Sequence, residues 1–133
     1  MKAFVDSSFY ISLLRQDDSN HARAKRILQE SAGRPLVFYT SFLIIDEVAT
    51  VLSMRVSKKD AIAWLAATEQ ADFPIILNID ETVRQNARAL FKKITDKNIS
   101  MVDCYCAILM KQNGIQTCFT FDAQFKKLGF EIL

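Results

Sequence analysis

Apolar residues in this chain fall into two kinds of run. Short continuous stretches, "KAFVD", "LVFYT" (Leu36 to Thr40), "FPIILNI", "TCFTF" and "FEIL", are too brief for helices and read as buried strands. Between them lie longer stretches with apolar residues every three or four positions, the mark of helices with one buried face. These run from about Ser7 to Leu14 and from near Asn20 to Ala32. Further on they are "SFLIIDEVATVLSM", "SKKDAIAWLAATEQA", "DETVRQNARALFKKITDK" and "SMVDCYCAILMKQNG", with a helical turn at "DAQFKKL". The end signals agree: "GRP" stops the second helix, Ser57 and Asp60 form a capping-box pair, and Gly114 suits the position just past a helix end. Strands alternating with helices predict an α/β sandwich around a mainly parallel sheet. Ligands of such sheets bind beyond the carboxyl ends of the strands, and two of these strands end there in an acid, Asp6 and Asp122.

Composition narrows the class. With 133 residues, half of them hydrophobic and ten of them Phe, the chain makes one domain over residues 1–133, able to build a core without staples. Three cysteines are an odd count, read as reduced thiols in a cytoplasmic protein. The pair in "CYC", Cys104 and Cys106, point about 200° apart on a helix and cannot share a metal. The start "MKAFVDSS" holds too few apolar residues for a signal peptide, and no run is long enough to span a membrane. A net charge of +2 permits nucleic-acid binding through a local patch without predicting it. His21, the only histidine, sits in a polar helix start and reads as solvated, which argues against Ser–His or Cys–His catalysis. Arg84, Arg88 and Lys92 recur at helical spacing and read first as a solvated face, with tracking of an RNA backbone as the second reading.

The acids carry the chemistry. Asp6 has a plain reading as a helix N-cap, and Asp103 as the acidic member of a Ser100-x-x-Asp capping pattern. Yet Asp103 shares a helix face with Cys106, Ala107 and Met110, so its carboxylate borders the interior. Glu47 falls among Leu43, Ile44, Val51 and Met54, read as the apolar stripe of its helix, while Asp46 sides with Thr50 and Ser53. A carboxylate on a buried stripe needs compensation, and a cation supplies it. If Asp6, Glu47, Asp103 and Asp122 converge at one sheet edge, their mutual repulsion calls for a hard, oxygen-ligated ion, Mg²⁺ or Mn²⁺. Such ions serve phosphoryl transfer.

Four blocks in this order, "FVDSS", "SFLIIDEVATVL", "SMVDCYCAILMKQNG" and "CFTFDAQFKKLGFEIL", resemble the PIN-domain family, most closely the VapC-type toxins of toxin–antitoxin pairs. The resemblance covers nearly the whole chain. It implies a PIN-like three-layer α/β/α sandwich with a central, mainly parallel sheet of about five strands. It also implies a metal-dependent endoribonuclease whose acidic set falls on Asp6, Glu47, Asp103 and Asp122. Small hydroxyls supporting them fall on Ser7 or Ser8 and on Thr120. In such enzymes one or two Mg²⁺ or Mn²⁺ ions hold the scissile phosphate, and an activated water attacks in line to leave 5′-phosphate and 3′-hydroxyl ends. A homodimer and a small antitoxin partner covering the acidic groove are implied as well. Arg15, Lys111, Lys126 and Lys127 lie near the acidic elements in sequence and are the candidates for RNA phosphate contact.

Two rivals stand beside this reading. A catalytically silent PIN-fold binding or scaffold module would typically have lost acids from the set, and all four are present. A receiver-like signalling domain would need a phosphoacceptor Asp ending the third strand, where only Asp80 offers itself, and a Lys ending a fifth strand, where the chain closes on "EIL".

Overall fold

The structure, a computed structural model, describes residues 1–133. Five strands, β1 (Lys2–Val5), β2 (Val37–Ser41), β3 (Ile75–Leu77), β4 (Thr117–Phe119) and β5 (Glu131–Ile132), form one wholly parallel sheet in the order β3-β2-β1-β4-β5. Seven helices connect them: α1 (Ser7–Leu14), α2 (His21–Ser31), α3 (Phe42–Arg55), α4 (Lys58–Thr68), α5 (Glu81–Lys93), α6 (Met101–Gln112) and the single turn α7 (Gln124–Lys127).

Right-handed crossovers account for the layers. From β1 the chain steps outward to β2 and then β3, so α1 to α4 share one face. It then returns past β1 to β4 and steps on to β5, so α5 to α7 cover the other. The packing agrees, with α1 against α2 and α3, α3 against α4, α5 against α6, and α6 against α7. The three-layer sandwich expected from the sequence is the one observed. Its direction of winding reverses between β1 and β4, and there the crossovers leave a crevice at the carboxyl ends of the strands.

Alternation along β4 builds both halves of the core. Phe119 meets Phe9 of α1 and Phe38 of β2 edge-on, with centroids 5.2 and 5.3 Å apart. Its neighbour Cys118 points to the opposite face, within electrostatic reach of Cys106 on α6. All three cysteines are free and buried, and Cys104 joins a separate small cluster with Ala87 and Ile99, so the two thiols of "CYC" diverge. On the other side Trp64 of α4 donates its indole N–H to the Ile45 carbonyl (3.0 Å) and packs on Tyr10 and Phe73.

Two elements are shorter than their patterns predict. In "FPIILNI" only Ile75–Leu77 pair with β2, because Pro74 has no N–H to give to the ladder. Helix α5 stops at Lys93 rather than near Lys97: Asp96 accepts the Asn98 amide (2.9 Å), and that turn competes with another helical turn. Gly114 behaves as predicted. It takes φ +66°, and the Ile115 and Gly114 amides close back onto the carbonyls of Met110 (2.8 Å) and Lys111 (3.3 Å), a complete Schellman stop.

Phe119 is fully buried at the junction of three elements. Phe119→Ala is expected to cost about 3–5 kcal/mol in urea unfolding, whereas Phe91→Ala, on an exposed face of α5, stays below about 1.5 kcal/mol.

Candidate active site

Asp6 ends β1 at the N-cap position of α1, yet its side chain makes no capping bond to that helix. The carboxylate turns instead toward the end of β4. Oδ2 accepts the hydroxyl protons of Thr120 (2.8 Å) and Ser8 (3.1 Å). Those two hydroxyls lie 3.0 Å apart, and with both protons given to the carboxylate this approach is a contact rather than a third bond. Each hydroxyl also accepts a backbone amide, Phe121 N–H on Ser8 and Asp122 N–H on Thr120, both at 2.9 Å. Two side chains thus sew the carboxyl ends of neighbouring parallel strands together around one acid. Of the two serines proposed to support Asp6, Ser8 does so by its hydroxyl, whereas the Ser7 hydroxyl makes no hydrogen bond.

Asp103 lies in the first turn of α6, 8 % exposed, within a full capping box: Ser100 Oγ takes the Asp103 amide (3.1 Å) and Asp103 Oδ2 takes the Ser100 amide (3.0 Å). Cys106, Ala107 and Met110, which share its face, are buried. Asp122 follows β4 and accepts the Gln124 amide on Oδ1 (2.9 Å), opening α7. These bonds fall on one oxygen of each aspartate and leave the second oxygen of each unused by them.

Electrostatics link the acids. Burial pushes the Asp6 carboxyl up to about 6; the Thr120 and Ser8 bonds oppose this shift and the Asp103 charge adds to it. Asp103 is also raised, first by desolvation and then by the charges of Asp122 and Glu47. The buried Cys106 thiol is held well above its ordinary range by burial, reinforced by Asp6, Asp103 and Glu47. All four acids therefore lie in one electrostatic neighbourhood at the switch point between β1 and β4. They do not close to a common coordination distance, since no three acidic, cysteine or histidine side chains gather tightly enough to hold a metal as placed. Mutual repulsion favours that spacing. The donor set itself is carboxylate oxygen throughout, the chemistry that suits a hard divalent cation.

Glu47 requires a correction. It is exposed, and the buried stripe of α3 is Ile44, Ile45, Val48 and Leu52, while Met54, assigned to the stripe from sequence, is 80 % exposed. The helix is rotated from the expected phase because Ile45 and Leu52 turn inward. Glu47 thus reaches the site as an open, solvated carboxylate rather than as a buried charge needing rescue.

The basic candidates fare unevenly. Arg15 is only 18 % exposed and its guanidinium is bonded to Asp17 (3.2 Å). Lys111 lies in the last turn of α6, eight residues past Asp103 and so about 12 Å down the axis, toward the opposite edge of the sheet. Lys127 is paired with Asp96 (2.8 Å), whereas Lys126 is exposed on α7. His21 is half-buried rather than solvated, and its Nδ1 meets the Ser12 carbonyl at 2.8 Å. A carbonyl only accepts, so that nitrogen carries the proton.

One cation beside the site escaped sequence reading. Arg23 on α2 lies over the Phe121 ring (5.3 Å from its centroid), and the two help to line a cleft of about 210 Å³ with Asn20, Thr120 and Asp122. Nothing local in "NHARAKRIL" signals this, because the closeness of α2 to the end of β4 is set by the fold.

A PIN-domain family model matches residues 3–131. The chain belongs to the PIN-domain family. This PIN domain is 29 % identical over 127 residues, 96 % of its length and 94 % of the other, to the 23S rRNA-specific endonuclease VapC20 of Mycobacterium tuberculosis. It is similar to the crystal structure of VapC20, described as a sarcin–ricin loop cleaving toxin, with a TM-score of 0.87 and 27 % identity over 96 % of this chain and 95 % of that one. It shares its fold with a chain in the crystal structure of VapBC2 from Rickettsia felis bound to a DNA fragment from their promoter (TM-score 0.73, 13 % identity, 100 % and 98 % of the chains).

A stability test follows from Asp6. The folded carboxyl binds a proton more readily than the unfolded one, near 3.8. The contribution of Asp6 to stability is therefore greatest below about pH 4 and is lost as pH rises through about 6. Asp6→Asn removes the ionisation, and its amide oxygen can still accept both hydroxyls. In metal-free buffer at about pH 7.5 the variant is expected to exceed wild type by up to about 3 kcal/mol, with the gap closing near pH 4. Urea unfolding at both pH values checks this.

Proposed function

We propose that this chain is a divalent-metal-dependent endoribonuclease that hydrolyses RNA phosphodiester bonds, acting as the toxin of a toxin–antitoxin pair. One observation carries the reading above all: a buried carboxylate at the topological switch point, locked by two hydroxyls, with Asp103 within reach of its field and Asp122 and Glu47 within reach of Asp103 in turn. An uncompensated buried acid is costly, and this one is raised toward neutrality. A cation such as Mg²⁺ or Mn²⁺ offsets that cost, with Asp6, Asp103, Asp122 and the solvated Glu47 as the residues to hold it.

Such a cation, when bound, supplies Lewis-acid stabilisation of charge on the phosphodiester and activation of a water. The rest is the work of the chain. Thr120 and Ser8 fix the rotamer of Asp6, so that its second oxygen presents in one direction. The Ser100 box does the same for Asp103, and the Gln124 amide for Asp122. Glu47, exposed on α3, is free to adjust to a substrate.

The naming of VapC20 as a 23S rRNA-specific endonuclease and sarcin–ricin loop cleaving toxin makes a 23S rRNA stem-loop the first substrate to try. The VapBC complexes among the structural neighbours support a small antitoxin partner. For the homodimer, α3 and α4 offer an exposed apolar face that includes Met54, Ile62 and Leu65. Assignment to the cytoplasm rests on the three free thiols. A silent scaffold role is not favoured, because the sequence keeps all four acids of the set.

Cleavage of a 23S rRNA stem-loop with Mg²⁺ or Mn²⁺, and its loss with EDTA, tests the reading. Asp6→Asn and Asp103→Asn are each expected to lower kcat by at least about 100-fold, and Thr120→Val by about 10–100-fold, the usual range for a group that orients a ligand. Activity that survives both chelation and the substitutions would overturn it.

A further inference from the structure

The acidic crevice repels the polyanion it is proposed to cut, so a cation beside it is needed to hold the RNA backbone. Most basic side chains considered from sequence are spent or misplaced: Arg15 on Asp17, Lys127 on Asp96, Lys111 toward the far end of α6. Arg23 is exposed and takes part in none of the chain's ion pairs, Arg15–Asp17, Arg84–Glu81 and Lys127–Asp96.

Its position is built rather than incidental. The guanidinium lies over the Phe121 ring, which stacks on buried Phe9 with centroids 5.7 Å apart and planes 14° from parallel. The Phe121 amide is bonded to Ser8, the residue that also holds Asp6, so ring and carboxylate share one rigid support. The start of α2 is clasped to α1. Ser12 Oγ and the Asn20 amide both donate to Asp18 Oδ1 (3.0 and 2.9 Å), and His21 Nδ1 bonds the Ser12 carbonyl. Stacking a guanidinium on an aromatic face restricts its motion and leaves its N–H edge free for bidentate bonding to an oxyanion.

We infer that Arg23, steadied by Phe121, is a phosphate-binding residue for the RNA strand, gripping a backbone phosphate next to the one cleaved between Asp6 and Asp122. The inference rests on the ribonuclease reading and adds to it a second anchor point, on α2 rather than on the acidic elements. Phe121 is a positioning residue that acts through Arg23. The cleft they line with Asn20, Thr120 and Asp122 is where the strand enters.

Two measurements on the full chain test this. The first is cleavage kinetics of the 23S rRNA stem-loop for wild type, Arg23→Gln, Arg23→Lys and Phe121→Leu. The second is anisotropy of the same fluorescein-labelled RNA on these chains carrying Asp103→Asn, across a salt series. Arg23→Gln is expected to raise KM by about tenfold, as loss of a charge-assisted bond does, with kcat within about twofold. It should also flatten the log–log salt dependence of binding by about 0.7, the contribution of one phosphate contact on a single strand. Arg23→Lys restores the salt slope but not the full affinity, since the fork and the stacking are gone. Phe121→Leu keeps the slope and raises KM, because the charge remains without its platform. An Arg23→Gln chain that matches wild type in KM and salt slope overturns the inference while wild-type cleavage leaves the ribonuclease reading standing. A wild type that neither binds nor cuts the RNA overturns both. Unchanged thermal unfolding of Arg23→Gln separates lost contact from lost fold.

Discussion

The hydrogen bonds from Thr120 and Ser8 to Asp6 are the constraint on which the rest of the site depends. They join the carboxyl end of β1 to that of β4, strands adjacent in the sheet but more than a hundred residues apart in the chain. Through the amides of Phe121 and Asp122, the same hydroxyls fix the chain as it leaves β4. The orientation of Asp122, the placement of the Phe121 ring and the rotamer of Asp6 are therefore not independent. A parallel sheet whose winding reverses between these two strands makes the crevice, and the hydroxyl pair decides what faces into it.

The arrangement is costly in the unliganded protein. Desolvation raises Asp6 despite two favourable hydrogen bonds, so burial outweighs them. Proteins hold such groups where binding or chemistry returns the cost. The remaining acids are graded in exposure, with Asp103 buried under its capping box, Asp122 half-buried and Glu47 open. That gradient suits a site with a fixed floor and an adjustable rim.

Much of this was legible from local sequence, and the exceptions are instructive. The limits of α6 and the turn at Gly114 are set by capping chemistry within a few residues, and pattern reading found them. The burial of Asp103 followed from its helix phase. Glu47 was misread because α3 carries apolar residues on nearly every face, Leu43, Ile44, Ile45, Val48, Val51, Leu52 and Met54. Which of them turn inward is decided by α1 and α4, which pack against it. Glu47 was proposed for the site through an argument about burial that its exposure does not support. Arg23 could not be found at all, since its neighbour Phe121 is nearly a hundred residues away. Sequence distance likewise misjudged Lys111, close to the acids in the chain yet toward the other end of its helix.

The central claim is that the buried, hydroxyl-locked Asp6 anchors a site for a divalent cation. Calorimetric titration of Mn²⁺ into the wild-type chain and into Asp6→Asn, at about pH 7.5 where the carboxyl is ionised, addresses it without reference to RNA. The account predicts saturable binding by wild type that weakens by at least about 100-fold in Asp6→Asn, with the fold of the variant intact by circular dichroism. Equal Mn²⁺ affinity in the two proteins would contradict it.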